Sequence, residues 1–318
     1  MSTQILSWNQ RLPAEYCGGP LTIGNFDGVH LGHRALVAEV RRQATTLGGP
    51  AVAMTFDPHP LQILRPEVFQ TVLTTPAYRA ELLHGCGADD VIILRTTREL
   101  LQLGAEEFFE QVIRERLRAR AVVEGPNFGF GRHREGNVQT LAEFCRKTGL
   151  GFVQVPPVQV AGRAVSSSRV RNALVGGAVR EAAQLMGRCY CLRGTVGTGQ
   201  QRGRTLGFPT ANLQNLETLV PGDGVYAVRV HWSNQTWPGA ANIGPNPTFG
   251  EQARKVEVHL IGFAGDLVGQ TVALDFVDRL RDTRAFAGVA ELVEQLRRDV
   301  EQARLRVEES TSDDSQKR

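Results

Sequence analysis

The chain has 318 residues, of which 42% are hydrophobic and 22% charged, and its formal net charge is +3. Domains commonly comprise ~100–200 residues, so this length favours two of them, and the composition excludes an intrinsically disordered protein. Residues 1–186 carry 20 basic and 17 acidic side chains and residues 187–318 carry 16 of each, which argues against a nucleic acid or an anionic membrane as partner.

The opening MSTQILSW lacks a basic segment followed by an apolar stretch, and no uncharged apolar run approaches ~18 residues. We therefore expect a cytoplasmic protein. The five cysteines are an odd number at scattered spacings without a C-x-x-C pair. That pattern indicates neither a disulfide framework nor a thiolate metal site.

The first half alternates predicted strands with predicted helices. The strands are short apolar runs rich in β-branched residues: PLTIGNF, AVAMTF, DVIILR, RAVVEG and GFVQV. Between the strands lie segments in which apolar residues recur at helical spacing, for example Val37, Val40, Ala44 and Leu47. The alternation predicts a Rossmann-like α/β domain over residues 1–186, with a parallel sheet whose ligands bind beyond the carboxyl ends of its strands.

From about Gly187 the pattern changes to strands with glycine and proline between them: CLRGTVG, GVYAVRV, KVEVHLIG and TVALDF. Helical periodicity returns at Val289, Leu292, Leu296, Val300 and Ala303. We expect an antiparallel β-barrel closed by a C-terminal helix over residues 187–307. The polar residues 308–318 predict a disordered tail.

The first candidate site lies in TIGNFDGVHLGHRALV, where a glycine-rich turn joins the first of these strands to a helix. His30 and His33 lie three residues apart, so they share a helix face. Backbone N–H groups at the helix start favour phosphate, and imidazoles beside them can donate to oxygens that gain charge in phosphoryl transfer. A plain turn with two surface histidines is the alternative. Half of a metal site is disfavoured because no third ligand lies at ligand spacing nearby.

The string G-x-F-D-G-x-H-x-G-H resembles the signature of nucleotidyltransferases with an H-x-G-H motif. TFDPHP, GPNFGFG and VSSSRVRNAL follow in the order typical of bifunctional riboflavin kinase/FMN adenylyltransferases, which the chain resembles over nearly its full length. Alone, SSSRVR is typical of a helix N-terminus with solvated arginines. The family usually has Thr where this chain has Ser168, and Pro126 replaces a commonly polar position. The stretch LRTTRELLQLGAEEFF lacks the aromatic residues that family members often carry before the acidic helix. This departure and Pro126 bear on FMN affinity, whereas Ser168 preserves the hydroxyl.

The resemblance implies roles for residues of the first domain. Those implied for catalysis are His30 and His33; those for ATP binding are Gly24, Asn25, Phe26, Asp27, Gly32, Asn127, Ser167, Ser168 and Arg171; those for flavin binding are Phe56, Asp57, His59, Pro60 and Phe128.

The second candidate site lies in GTVGTGQQRGRTLGFPTANL, which has no G-x-x-x-x-G-K-[ST] loop. Thr210 and Asn212 project to one face of an extended segment, and their oxygens suit Mg²⁺ shared with ATP phosphates. Two glycine-rich hairpin turns are the alternative. GR-x-LGFPTAN resembles the riboflavin kinase signature, and VEVHL matches the segment in which that family places its catalytic base. The resemblance makes Glu257 that base, although a strand carboxylate is usually just solvated.

By the same resemblance the kinase binds nucleotide phosphates through Gly197, Gly199, Arg204, Gly207 and Pro209. NIGPNPTFG, residues 242–250, is expected to form a loop near the flavin or nucleotide, where Phe249 is either a stacking or a core residue.

The implied function is ATP- and Mg²⁺-dependent phosphorylation of riboflavin to FMN by the C-terminal domain, and adenylylation of FMN to FAD, with release of pyrophosphate, by the N-terminal domain. Its partners are then riboflavin, FMN and ATP. One rival is an adenylyltransferase for another substrate with an accessory barrel, and another is a flavin-binding regulator. PTAN followed by VEVH argues against the first, and the presence of both histidines and Glu257 argues against the second.

Overall fold

The computed structural model describes residues 2–10, 12–199, 202–246 and 251–316. The chain divides into two compact units, Met1–Ser166 and Ser167–Arg318. Phe249, assigned above to a loop near the flavin, lies outside the described residues. Across those residues, no helix has both the length and the apolar character that crossing a membrane requires.

The first unit contains ten strands and six α-helices within the residues described. The strands are β1 (Ser2–Ser7), β2 (Pro20–Ile23), β3 (Val52–Asp57), β4 (Asp90–Arg95), β5 (Ala121–Glu124), β6 (Gly129–Phe130), β7 (Gly136–Asn137), β8 (Gly151–Gln154), β9 (Gln159–Val160) and β10 (Arg163–Ala164). The α-helices are α1 (Leu31–Leu47), α2 (Pro60–Leu64), α3 (Pro76–Gly85), α4 (Arg98–Gln102), α5 (Ala105–Phe108) and α6 (Val138–Thr148). Short 3-10 helices span Ala14–Tyr16 and Arg132–Arg134, and a π-helix spans Phe109–Arg116.

Six parallel strands form the main sheet in the order β1-β4-β3-β2-β5-β8. This confirms the five predicted strands and the predicted parallel arrangement. The sequence analysis missed β1, an edge strand that pairs in register with β4. The chain runs from β2 toward β3 on one side and places β5 on the other, so the strand order reverses beside β2. Ligands of open α/β sheets bind at such a reversal.

Helix α1 covers one face of this sheet because its apolar residues recur at helical spacing. Val37, Val40 and Ala44 are buried as predicted, whereas Leu47, at the end of the helix, remains exposed. His30 caps the N-terminus of the helix, where its side chain accepts the His33 N–H.

The second unit is a closed antiparallel barrel with helices. Its helices are α7 (Ser167–Val175), α8 (Val179–Met186), α9 (Arg202–Thr205) and α10 (Val289–Gln316), and its strands are β11 (Tyr190–Gly197), β12 (Ala211–Gln214), β13 (Gly224–Trp232), β14 (Gln235–Asn246), β15 (Glu251–Leu260) and β16 (Thr271–Arg281). The strand order is β11-β12-β15-β14-β13-β16. This confirms the predicted barrel and terminal helix. Val272, Leu274 and Phe276 are buried together, as their alternation predicted.

Helices α7 and α8 group with the barrel, whereas the sequence analysis placed the domain boundary at residues 186/187. Four apolar residues of α8 are buried, including Ala182 and Leu185, and Arg180 forms a 2.8 Å ion pair with Asp278 of β16. These contacts attach α8 to the barrel of its own unit.

Helix α10 runs to Gln316, so the prediction of a disordered tail from residue 308 is wrong over residues 308–316. Arg304 pairs with Glu308 one turn along, and Arg306 pairs with Glu309. Side-chain pairs at this spacing support a helix whose polar composition alone resembles a disordered segment. Val307 is buried in a small cluster with Ala303, which holds this part of the helix to the barrel.

Candidate active sites

The turn between β2 and α1 has an unusual backbone. Phe26 and Val29 have positive φ angles of 46° and 40°, and Gly28 has a φ of 83°. A β-branched residue rarely adopts this conformation, so the surrounding structure must enforce it. Phe26 and Val29 are both 1% exposed and pack in one core cluster. The predicted glycine-rich turn is thus a rigid loop anchored by its apolar side chains.

His30 caps helix α1 with its imidazole. Its Nδ1 accepts the backbone N–H of His33 at 3.4 Å, so Nδ1 carries no proton and the neutral ring carries its proton on Nε2. Burial lowers the pKa of His30 to about 4. The ring therefore stays neutral at physiological pH and offers one N–H donor.

His33 stacks on His30 with the ring centroids 3.6 Å apart, and the Phe26 ring meets it edge-on at 5.1 Å. Burial holds the pKa of His33 well below its ordinary value, and the nearby His30 and Arg79 add to the effect. The Nδ1 atom of His33 is buried without a hydrogen-bond partner among the described residues.

Asp27 lies inside the protein, at 3% exposure. Its Oδ1 accepts the backbone N–H groups of Leu73 and Thr74 at 2.8 and 3.1 Å. Arg79 lies 3.8 Å from the same oxygen. These contacts hold Asp27 beneath the loop, and its implied role in ATP binding stays a prediction.

The sequence analysis missed two buried charged residues at this edge of the sheet. Arg79, at 2% exposure, donates to the Thr55 hydroxyl and to the carbonyls of Phe56 and Thr74. Glu124 ends β5, and its Oε1 accepts the Ile23 N–H at 2.6 Å. Burial raises the pKa of Glu124 well above its ordinary value. Neither residue lies in one of the sequence motifs described above, so no pattern of neighbouring residues identifies them as part of this site.

The residues implied for flavin binding follow the carboxyl ends of β3 and β5. Phe56 and Asp57 end β3, and His59 caps α2 by accepting the Leu61 N–H at 3.1 Å, with Pro60 at the first helical position. Phe128 follows β5 and stacks on the Phe130 ring with centroids 5.4 Å apart.

Asn127 also follows β5 and is exposed, with its backbone carbonyl accepting from Arg134 at 3.1 Å. Because β2, β3 and β5 are parallel neighbours, these residues lie at the same sheet edge as the loop before α1. Ser167, Ser168 and Arg171 open α7, which belongs to the second unit, and their assigned role in ATP binding stays a prediction.

Three barrel strands align the polar residues of the second site. Asn212 of β12 lies directly opposite Gly197 of β11 on one side and Glu257 of β15 on the other. Asn242 of β14 lies opposite Glu257 across the next pair. Directly opposed residues have their Cβ atoms ~4.5–5.5 Å apart, so the amide and carboxylate side chains form a cross-strand row. Asn242 belongs to a segment that the sequence analysis treated as a loop.

This row lies on the polar face of the strands. Val256 and Val258 are buried, and Glu257 and His259 alternate with them on the opposite face. A cavity of about 570 Å³ opens beside the row, and its lining includes Gly199, Asn212, Arg254 and Lys255.

The segment between β11 and β12 approaches this face closely. A Cβ atom at Gly199 would lie 2.1 Å from Asn212 Nδ2, so any larger residue there would have to displace the Asn212 amide. Gly207 has a φ of 85°, and the next residue, Phe208, donates its N–H to the Gly203 carbonyl at 2.7 Å. The exposed Arg204, Pro209 and Thr210 lie in the same segment. Geometry thus favours glycine at two of the predicted positions: the backbone at Gly199 lies close to the Asn212 side chain, and Gly207 has a positive φ angle.

Comparison with known proteins matches each unit to a family model. The model for FAD synthetase matches residues 13–169, and the model for riboflavin kinase matches residues 186–307. A bifunctional riboflavin kinase/FMN adenylyltransferase of Pseudomonas fluorescens is 37% identical over 302 residues, which are 95% of this chain and 97% of that protein. The protein of the same description from Escherichia coli K12 is 35% identical over 90% of this chain and 91% of its own length.

A solved structure also resembles the chain over most of its length. It is described as a macrolide-efflux protein from Streptococcus pneumoniae, with a TM-score of 0.86 and 33% identity over 95% of this chain and 98% of its own. That description names a transport activity, whereas both family models and the curated relatives are named for flavin chemistry. Two family models and two full-length relatives decide in favour of the flavin reactions.

Proposed function

The chain belongs to the family of bifunctional riboflavin kinase/FMN adenylyltransferases, and on that premise we propose which of its residues carry each reaction. The enzyme phosphorylates riboflavin to FMN and adenylylates FMN to FAD. The FAD synthetase part is N-terminal and the riboflavin kinase part C-terminal. We assign the first reaction to residues 187–307 and the second to residues 1–186. The proposed location is the cytoplasm, which supplies ATP for both steps.

In FAD formation, a phosphate oxygen of FMN attacks the α-phosphorus of ATP, and the bond to the departing pyrophosphate breaks. His30 and His33 donate Nε2–H hydrogen bonds to phosphate oxygens as their charge grows. The neutral tautomer of His30, which its role as helix cap requires, supports this assignment. Gly24, Asn25, Phe26 and Gly32 shape the loop that presents the histidines. A Cβ atom at Gly32 would lie 3.1 Å from the His30 ring, so the absence of a side chain at Gly32 leaves room for that ring.

The flavin phosphate has to meet these histidines at the sheet edge. We propose that Phe56, Asp57, His59, Pro60 and Phe128 hold FMN there and that Asn127 contacts nucleotide or phosphate. Their common position beyond the carboxyl ends of β3 and β5, beside β2, supports the proposal. Asp27 contributes by bracing the loop. Ser167, Ser168 and Arg171 retain their proposed ATP role from the motif.

In FMN formation, Glu257 accepts the proton of the riboflavin 5′-hydroxyl while that oxygen attacks the γ-phosphorus of ATP and ADP leaves. The register that sets Glu257 against Asn212 is the observation that carries this assignment. Gly197, Gly199, Arg204, Gly207 and Pro209 form the proposed phosphate-binding segment.

Thr210 and Asn212 fit a shared Mg²⁺, because their side-chain oxygens are hard donors on one face of an extended segment. Within the described residues, no three His, Cys, Asp or Glu side chains cluster as a metal site would require, so these oxygens need ATP phosphates to complete a ligand set. When bound, Mg²⁺ supplies charge neutralisation at those phosphates. The protein's part is to hold the two oxygens and Glu257 on one face.

Two substitutions test the division of labour. Glu257→Gln keeps size and hydrogen bonding but removes basicity, so FMN formation should fall by ~10²–10⁴-fold while FAD formation from supplied FMN continues. His33→Ala removes a phosphate donor, so FAD formation should fall by ~10²–10³-fold while riboflavin is still converted to FMN. Chromatography that separates riboflavin, FMN and FAD measures both steps.

The matched controls are the exposed Glu217→Gln and His84→Ala, whose imidazole bonds only Thr3 and Ala88 among the described residues. Both should retain both activities. Thermal unfolding of every variant separates a loss of fold from a loss of chemistry. The proposal fails if either site variant, while folded, loses both steps equally.

A further inference from the structure

His259 touches the segment that leads into β12. Its Nδ1 lies 2.8 Å from the carbonyl oxygen of Pro209. A carbonyl only accepts, so Nδ1 carries a proton and donates it. The imidazole also meets the Phe208 ring edge-on, with centroids 5.6 Å apart and an interplanar angle of 72°. One side chain on β15 therefore contacts two consecutive residues of a segment that lies fifty positions earlier in the chain.

The residues held in this way come directly before the proposed Mg²⁺ ligands. Pro209 precedes Thr210, which is exposed, so burial does not fix the position of its side chain. Asn212 is fixed by strand pairing with Glu257, since β12 begins at Ala211. Thr210 lies one residue outside that pairing. Among the described residues, the nearest contacts that hold the chain before Thr210 are those of Phe208 with Gly203 and of Pro209 with His259.

We propose that His259 is a positioning residue of the riboflavin kinase site, holding Phe208 and Pro209 against β15 so that Thr210 and Asn212 face the metal-bound phosphates of ATP together. The inference rests on the proposed kinase function. His259 shares a strand face with Glu257 two residues before it, so the same strand carries the base and fixes the phosphate-binding segment. Its effect is on the binding of MgATP and not on proton transfer.

Three variants of His259 isolate the Nδ1–H donor. His259→Phe keeps a ring beside Phe208 but has no donor, His259→Asn places an amide N–H near the Nδ1 position, and His259→Gln places it near Nε2. A single hydrogen bond of this kind corresponds to a roughly 3- to 10-fold change in binding. We expect the KM for MgATP in FMN formation to rise by roughly that factor in the Phe and Gln variants, with kcat within about twofold of the parent.

His259→Asn should restore most of the affinity for MgATP, a rescue that a purely structural role would not produce. His231→Phe is the matched control, because it removes imidazole hydrogen bonds to Asp275 and Thr236 elsewhere on the barrel. It should leave the KM for MgATP unchanged. FAD formation from supplied FMN, measured on the same preparations, should also be unchanged.

An unaltered KM in folded His259→Phe overturns the proposal, as does a fall in kcat at constant KM. If the Phe variant does not fold, the Asn and Gln variants decide, and equal KM values for these two overturn it. A wrong kinase assignment shows differently, because Glu257→Gln would then leave FMN formation intact whatever the His259 variants do.

Discussion

His30 combines a structural contact and a proposed catalytic one in a single imidazole. Its Nδ1 accepts the His33 N–H and closes the first turn of α1, which forces the proton onto Nε2. The ring is 6% exposed, and protonating it there would place an additional charge beside the stacked His33 ring. Burial and capping therefore act in the same direction, since each favours the neutral form that donates from Nε2.

This neutrality predicts an acid sensitivity of the first unit. In the unfolded chain, His30 takes up a proton near its ordinary pKa of about 6.5, whereas in the folded protein its pKa is about 4. The stabilisation by neutral His30 is complete above pH ~6.5 and declines toward pH ~4, with a slope of about 1.4 kcal/mol per pH unit in the free energy of unfolding.

His30→Asn keeps a capping acceptor and removes the titrating ring. Between about pH 7.5 and about pH 5, its melting temperature should fall less than that of the parent protein. The melting temperatures of both proteins across this range check the prediction. Parallel decreases would show that His30 does not stay neutral in the folded state.

The loop between β2 and α1 is held from below by the segment before α3. Asp27 accepts the N–H groups of Leu73 and Thr74, Gly28 donates to the Thr74 hydroxyl at 3.2 Å, and Arg79 holds the other side of that segment. A buried carboxylate and a buried guanidinium require such partners, because either alone would be costly. The loop proposed to bind phosphate is therefore preorganised by an element that contributes no motif.

Gly28→Ala tests this bracing. The φ of 83° disfavours any side chain, and the new Cβ atom would lie 2.8 Å from Cδ1 of the fully buried Leu73. The variant should lose roughly 2–4 kcal/mol of unfolding free energy in the first unit, from strain and overpacking together. FAD formation should fall with it while FMN formation persists.

Gly149→Ala is the control for backbone strain alone. Gly149 has a φ of 71° at the end of α6, and a Cβ atom there would meet nothing within 4 Å. It should lose only about 1 kcal/mol of unfolding free energy and keep FAD formation. Denaturant unfolding and the FAD assay measure both variants, and equal losses in the two would mean that Leu73 does not support the loop.

Strands whose own residues form an apolar run were predictable from the sequence. Strands that form only by pairing with a neighbouring strand were not. The five apolar runs of the α/β sheet appear as β2, β3, β4, β5 and β8. The first four are largely buried, which demands continuous apolar residues, whereas β8 is a partly exposed edge strand. Strand β1 has a polar alternation with an exposed Ile5 and forms only by pairing with β4. Strand β14 contains Pro238, Gly239 and Gly244, which weaken any local β signal.

The same distinction applies to the sites. His30, His33, Thr210, Asn212 and Glu257 lie in contiguous motifs, so the sequence identifies them as candidates. Arg79, Glu124 and the His259 contact with Pro209 depend on pairs of residues far apart in the chain, and no spacing rule reaches them.

Across the whole molecule, the proposed assignment gives each reaction donors and bases of its own. The stacked histidines belong to the first unit, and the Asn212–Glu257 row belongs to the second. Each reaction also consumes its own ATP. Separate residue sets imply that FMN made by one chain is a substrate for any other chain that meets it in solution.

Mixing the two single-site variants tests this consequence directly. Glu257→Gln makes no FMN at an appreciable rate but retains the FAD site, and His33→Ala makes FMN but stops there. An equimolar mixture given riboflavin, ATP and Mg²⁺ should form FAD after a lag during which free FMN accumulates, and much faster than either variant alone. A chain carrying both substitutions, mixed with Glu257→Gln, should form none and serves as the control. Absence of FAD from the first mixture, with both variants folded and each retaining its remaining step, would mean that FMN does not pass between chains and that the sites are not independent.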